Sequence, residues 1–291
     1  MKPPAFEYHD PVELEPALEL LRRYQGEAKI LAGGQSLLAL LNFRLTRPVA
    51  LIDVNRIRRL SYIKEQDGRL CLGAITRQRA IEFSPLVREK LPLLVEATRL
   101  VGHLPTRTRG TIGGSLAHAD PAAEYPAVFS ALDGELVARG PNGERVLGAR
   151  EFFQGLMTTA LAPDEVLVEV RLPLMTAQCG WAFEEFSRRQ GDFAIVGVAA
   201  QICVVGERCK TARLAAAGVG PTPLRLERVE QTLEQDGLSE RSIAEAAARA
   251  AEQTEPPSDL HATAQYRRHL TRVLTQRAIS RALARARGER R

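Results

Sequence analysis

The sequence predicts an α+β protein built from two domains, and three observations carry that reading. Its 291 residues are about twice a typical domain of ~150. Its composition, 45% hydrophobic and 26% charged, is that of a globular chain with apolar surface enough for a core, which excludes a disordered chain, a collagen-like repeat and a long coiled coil. The hydrophobic period also changes along the chain, from helix–strand alternation through hairpin-like runs to three strands followed by helices.

Leu14, Ala17, Leu18, Leu20 and Leu21 fall at helical spacing over residues 12–24. The apolar run Lys29–Ala32 then meets Gly33-Gly34-Gln35-Ser36, and Leu37–Leu41 reads as a second helix with Ser36 placed to cap its first-turn amides. Val49–Val54 follows at the distance of a parallel crossover, so roughly the first 55 residues predict a β-α-β unit. In the middle section Arg69–Ala74 is strand-like, residues 76–87 and 93–101 are helical, and Thr106–Pro121 is a glycine-rich stretch. Leu136–Ala138 and Arg145–Leu147 predict a hairpin, with Asn142-Gly143 supplying the positive-φ turn. Glu165–Leu172 alternates like a half-buried strand, and Pro173–Gly180 marks a boundary. Beyond it, Ala182–Phe186, Ala194–Val205 and Thr211–Val219 predict a three-stranded antiparallel sheet, with Gly218–Pro221 as a turn. Helices are expected over Leu224–Leu233 and Ser239–Gln253, and a basic helix closes the chain.

The net charge of +5 is unevenly placed. Nine arginines face one acid, Glu289, between Tyr266 and Arg291, so this tail holds +8 and the body −3. Leu270, Val273, Leu274, Ala278, Ala282 and Leu283 give the tail an amphipathic pattern, which predicts a solvated arginine face; docking onto an acidic partner is the alternative. With 5% aromatics and no recognition motif, nucleic-acid binding is not expected. Ala194–Val205, interrupted by Gln201, is too short for a membrane span of ~20 residues, and Met1–Asp10 lacks a signal-peptide stretch, so a cytoplasmic protein is expected. Cys71, Cys179, Cys203 and Cys209 show neither zinc nor iron–sulfur spacing and read as incidental or buried thiols.

Two segments carry chemistry. Ala32-Gly33-Gly34-Gln35-Ser36-Leu37 lies between a strand and a helix, where unpaired amides and the helix dipole favour an anion and glycine lets the backbone come close. Thr111-Ile112-Gly113-Gly114-Ser115 repeats the pattern, and two such loops could clasp a pyrophosphate from opposite sides. Neither is G-x-G-x-x-G or G-x-x-x-x-G-K-[ST], so neither a nicotinamide fingerprint nor an ATP loop is supported, and no hydrolytic triad is present. His118, Asp120 and Glu124 offer only three candidate metal ligands, and no metal is expected there; a carboxylate just past a phosphate loop is better suited to accept from ribose hydroxyls.

These segments, together with Asn42-Phe43-Arg44-Leu45, Arg188-Arg189-Gln190-Gly191-Asp192-Phe193-Ala194 and Gly220–Arg225, resemble the FAD-binding medium subunit of molybdenum hydroxylases, the family of aerobic carbon monoxide dehydrogenase and bacterial xanthine dehydrogenase. The resemblance runs from Phe6 to the C-terminal helix. It implies a p-cresol methylhydroxylase-like FAD-binding domain over 1–175, in subdomains of about 1–56 and 57–175, then a sheet-plus-helices domain over 176–291. It also implies that Ala32–Ser36 and Thr111–Ser115 hold the FAD pyrophosphate through backbone amides, with Leu37 beside them. Glu124, Val101, Leu167 and Val168 would contact the cofactor, and Phe193 would lie against the isoalloxazine ring unless it is a core aromatic. Members often carry Pro near Ala39 and Met near Leu41, and some have His at Gln35 or Asn at Ser115. Because covalent attachment in the broader fold uses a histidine in the first loop, Gln35 implies noncovalent FAD.

The resemblance further implies partners: a small subunit with [2Fe-2S] clusters and a large subunit with the molybdenum cofactor, in a dimer of heterotrimers. Electrons would pass through this chain to NAD, quinone or oxygen, with no acid–base catalyst of its own. The alternative is a stand-alone flavin dehydrogenase or oxidase.

Overall fold

The structure is a computed structural model describing residues 2–289; Arg290 and Arg291 of the basic tail lie outside the described residues. Among the described residues, three larger sheets, each with its own helices, and one two-stranded sheet account for the architecture. In the first, β1 (Glu7–His9), β2 (Ala28–Leu31) and β3 (Ala50–Asp53) run parallel in the order β1-β3-β2. The expected β-α-β unit is therefore present. The strand preceding it, Glu7-Tyr8-His9, is mostly exposed and carries no apolar pattern to announce it. Helix Leu14–Tyr24 buries Leu14, Ala17, Leu18 and Leu21 on this sheet, as their spacing predicts.

The second sheet contains β4 (Ile63–Gln66), β5 (Arg69–Gly73), β6 (Glu135–Gly140) and β7 (Gly143–Gly148). After a small hairpin, β8 (Phe153–Gly155) and β9 (Thr158–Thr159), the chain returns as β10 (Val166–Pro173) through the middle of that sheet, giving β4-β5-β10-β6-β7. The β6–β7 turn takes its positive φ at Gly143 alone. One face packs on helices drawn from residues 78–131. The helix expected over 76–87 is two, Gln78–Phe83 and Pro85–Lys90, because Ser84 leaves the helical region and caps the second through a bond from the Val87 amide. Thr106–Pro121, read as a glycine-rich stretch, contains two short helices, Leu104–Arg109 and Ile112–His118.

The third sheet orders β11 (Cys179–Phe186), β12 (Val196–Val205), β13 (Arg208–Ala217) and β14 (Leu224–Arg225), all antiparallel. The three expected strands are there, and a two-residue fourth is added at the edge: Arg225 bonds Glu230 and the Ser130 carbonyl, holding the chain extended where a helix start was expected, so that helix begins at Glu227. Helices Glu227–Asp236, Glu240–Glu252 and Ala264–Ala286 cover one face. Helix Glu124–Ala131, buried at every residue, lies against the other.

Two expectations need correction here. Cys179 and Cys203 face each other across β11 and β12 and form a disulfide, a pairing that 23 intervening residues conceal; Cys71 and Cys209 are buried thiols, as expected. The arginine face of the closing helix is also only partly solvated. Arg267 is 5% exposed and donates to the carbonyls of Ile195 and Gly218 and to Asp259. Arg281 and Arg285 both pair with Glu96 of helix Pro92–Leu100, joining the basic helix to the helices packed on the second sheet. Among the described residues no helix is long and apolar enough to cross a membrane.

Candidate functional site

A cleft of about 830 Å³ opens where the first loop, the second loop, the turn Val101-Gly102 and the segment carrying Gly191 and Phe193 converge. Its first wall follows from β2. After Leu31 the backbone turns at Gly34 (φ +72°), and the amides of Gly33, Gly34, Gln35, Ser36 and Leu37 find no acceptor among the described residues. Ser36 is already helical in conformation (φ −100°, ψ −47°) and does not cap the helix Leu37–Asn42, contrary to the expectation from its position. Five consecutive amides without a protein acceptor therefore belong to residues that line the cleft, a supply of donors suited to a dianion.

The second loop differs. Thr111 caps the helix Ile112–His118 by accepting from the Gly114 amide at 3.1 Å. The Ile112 amide donates to Thr76, Gly113 to Ala74 and Ser115 to the Thr111 carbonyl. Its first-turn amides are thus already engaged, and what it offers a ligand is the Ser115 side chain and a close surface. That closeness is built in: a Cβ on Gly33 would lie 2.6 Å from the Arg109 carbonyl oxygen and 2.7 Å from Gly110 Cα, so the two loops touch backbone to backbone.

Of the remaining expected residues, Val101, Glu124, Leu167 and Phe193 line the cleft. Phe193 is 61% exposed, so it is not a core aromatic. Ile112 instead packs in the core of the second sheet. Val168 lines a separate polar groove on the opposite sheet face, since neighbouring strand residues point to opposite sides. Sequence reasoning missed Gln78, whose buried Oε1 has no partner and which lines the cleft, and Asn55 and Arg77, which lie behind the loops. No motif signalled them, because their roles depend on the loops they meet. Among the described residues no three His, Cys, Asp or Glu side chains are grouped to hold a metal.

Residues 4–175 match the family model "FAD binding domain in molybdopterin dehydrogenase", and residues 181–282 match "CO dehydrogenase flavoprotein C-terminal domain". The chain belongs to the FAD-binding medium subunits of molybdenum hydroxylases. It is 43% identical to the 6-hydroxypseudooxynicotine dehydrogenase complex subunit alpha of Paenarthrobacter nicotinovorans, covering 99% of this chain and 97% of that one. It superposes on a chain of Hydrogenophaga pseudoflava carbon monoxide dehydrogenase with a TM-score of 0.96 at 39% identity, covering 98% and 99%. Quinoline 2-oxidoreductase from Pseudomonas putida 86 gives 0.93 at 37% identity, covering 99% of each chain. This medium subunit is thus an oxidoreductase component with an FAD-binding domain, and the residues present fit that cofactor: amides without a protein acceptor at Gly33–Leu37, on residues lining the cleft, for a diphosphate.

Glu124 is a buried carboxyl lining the cleft. Burial pushes its carboxyl up to about 7, with Asp120 adding to the rise and Arg107 opposing it. Burial, and then the charge of Glu124, also pushes Glu185 up to about 8. The fold favours the neutral carboxyl of Glu124, so its contribution is complete below the ordinary value of 4.5 and is lost as pH rises through about 7. Between pH 5 and 8 the cofactor-free subunit should lose roughly 2–3 kcal/mol through this group. Thermal melts across that range should show the decline in wild type and a shallower one in Glu124→Gln; identical slopes would refute the assignment.

Proposed function

We propose that this medium subunit takes electrons from an iron–sulfur subunit and passes them to an external acceptor (NAD, quinone or oxygen), in a heterotrimer whose molybdenum subunit hydroxylates the substrate, the heterotrimers pairing as a dimer. Residues 1–175 serve as the flavin unit, with subdomains of about 1–56 and 57–175, and 176–291 as the second domain. A cytoplasmic setting belongs to the same reading.

The observation that carries it is the row of unpaired amides at Gly33–Leu37 opening on a cleft that the second loop closes. In this reading Ala32–Leu37 and the Thr111–Ser115 segment hold the diphosphate, with Gly113 and Gly114 keeping the approach close. Glu124 accepts from ribose hydroxyls, and Val101, Leu167 and Phe193 bound the ring. Noncovalent FAD supplies the one- and two-electron chemistry, while the protein supplies binding, orientation and electrostatics. With Cys179 and Cys203 joined and Cys71 and Cys209 buried, clusters belong to another chain.

The full chain should purify with absorbance near ~450 nm that denaturation releases, a property of the cofactor and not of the polypeptide. Co-purified with its iron–sulfur and molybdenum subunits, its flavin should bleach on adding substrate; without them it should not. Turnover of a small substrate by the isolated chain would favour the stand-alone dehydrogenase or oxidase instead, and a colourless chain that takes up no FAD would defeat both readings.

A further inference from the structure

Behind the two loops lies a chain of hydrogen bonds whose side chains, Asn55 and Arg77, do not line the cleft but grip the loop backbone at Ala32 and Arg109. Asn55 follows β3 and donates from Nδ2 to the carbonyl of Ala32 at 2.7 Å, at the start of the first loop. The same Nδ2 donates to Asp53 Oδ1 at 2.6 Å, and the Asn55 amide to that oxygen at 2.8 Å, so the side chain is fixed in orientation. Asp53 is in turn held by the Tyr8 hydroxyl at 2.7 Å, which brings in the unannounced strand β1. Asn55 Oδ1 accepts from Arg77 Nη2 at 2.5 Å, and Arg77 Nη1 donates to the carbonyl of Arg109, one residue before the second loop's Gly110. The carbonyl that Arg77 grips is the one a Cβ at Gly33 would strike.

We propose that Asn55 and Arg77 are positioning residues that lock the two loops at one separation and so preset the diphosphate cradle before the cofactor arrives. Arginine suits the task because its planar fork donates in two fixed directions; a lysine ammonium is a single flexible point that cannot span both acceptors in that geometry. The pair lies half-buried, with the Asn55–Arg77 bond partly covered and the Arg77–Arg109 bond open to solvent, and neither residue lines the cleft. Presetting a site reduces the ordering that binding must supply and appears as affinity without a ligand contact. The inference rests on the reading that the two loops hold the FAD diphosphate.

Titration of the deflavinated full chain with FAD and with riboflavin, which lacks the diphosphate, tests it. Asn55→Ala and Arg77→Lys should each weaken FAD binding by about 10- to 100-fold, as expected for losing a charge-assisted or amide bond that orders a loop. The weak binding of riboflavin should change by less than about twofold if only loop separation has moved. The double variant should be no worse than the weaker single, since both residues act through one linkage. An FAD affinity unchanged within twofold in both singles, losses that multiply in the double variant, or an equal loss for riboflavin would overturn the proposal. Wild-type protein that binds no FAD would instead overturn the underlying reading. Should Arg77→Lys fail to fold by circular dichroism, Asn55→Ala decides alone, and should both fail, the pair is a folding element and the proposal is wrong.

Discussion

Gly33→Val is expected to abolish FAD retention, weakening binding at least about 100-fold while leaving the chain folded. The reason is contact between two backbones. The added Cβ would stand 2.6 Å from the Arg109 carbonyl and 2.7 Å from Gly110 Cα, neither of which is the yielding end of a side chain, so the loops must part. Parting them removes the shared wall of the cleft and strains the Arg77 bond to the same carbonyl. Gly148→Ala is the control: a Cβ there meets nothing within 4 Å, and its φ of −74° is open to any residue. The ratio of flavin to protein after gel filtration, followed by titration, separates the outcomes. A yellow Gly33→Val protein with near-normal affinity would show that the loops do not share one ligand.

The second large effect falls on the seam between the FAD-binding domain and the C-terminal helix. Glu96 accepts from the Phe183 amide at 2.9 Å and from Arg285 at 2.7 Å, and it also pairs with Arg281. Arg285 continues to the Trp181 carbonyl at 2.7 Å and lies over the Trp181 ring at 4.8 Å, while Arg281 reaches Glu184 at 2.7 Å. Burial lowers the pKa of both arginines, so they are partly desolvated cations that depend on nearby carboxylates. Removing the charge in Glu96→Gln leaves them undercompensated. Breaking a fully buried pair costs about 3–5 kcal/mol; discounted for the partial exposure of these groups, roughly 2 kcal/mol is expected. Differential scanning calorimetry should record a fall of several degrees in Tm, with the C-terminal helix gaining amide exchange first. A Tm within one degree of wild type would show that the seam is held by apolar packing alone.

How much could be read from residues depends on the range of the interactions involved. The amphipathic helix at Leu14–Tyr24, the long strands and the glycine loops follow from local period and turn chemistry, and all were legible. Ser36 had the right chemistry for a cap but not the backbone angles, whereas Thr111 had both. Val168 was assigned to the cofactor although β10 turns it to the other face, beside an irregularity between Leu167 and Glu169 that disturbs simple alternation. Asn55, Arg77 and Gln78 carry no motif because each acts on a carbonyl or cavity formed by distant segments. The arginine tail looked solvent-facing because its carboxylate partner, Glu96, lies 185 residues away from Arg281.

The cleft walls come from segments separated by some seventy residues. Under the proposed reading, a diphosphate bridging them would act as a ligature on the folded chain, adding about 2.7 kcal/mol when free FAD stands at one hundred times its Kd. Supply of the vitamin-derived coenzyme would then govern abundance as well as colour. Chains made during flavin shortage would open more often at this junction and be cleared sooner by proteases.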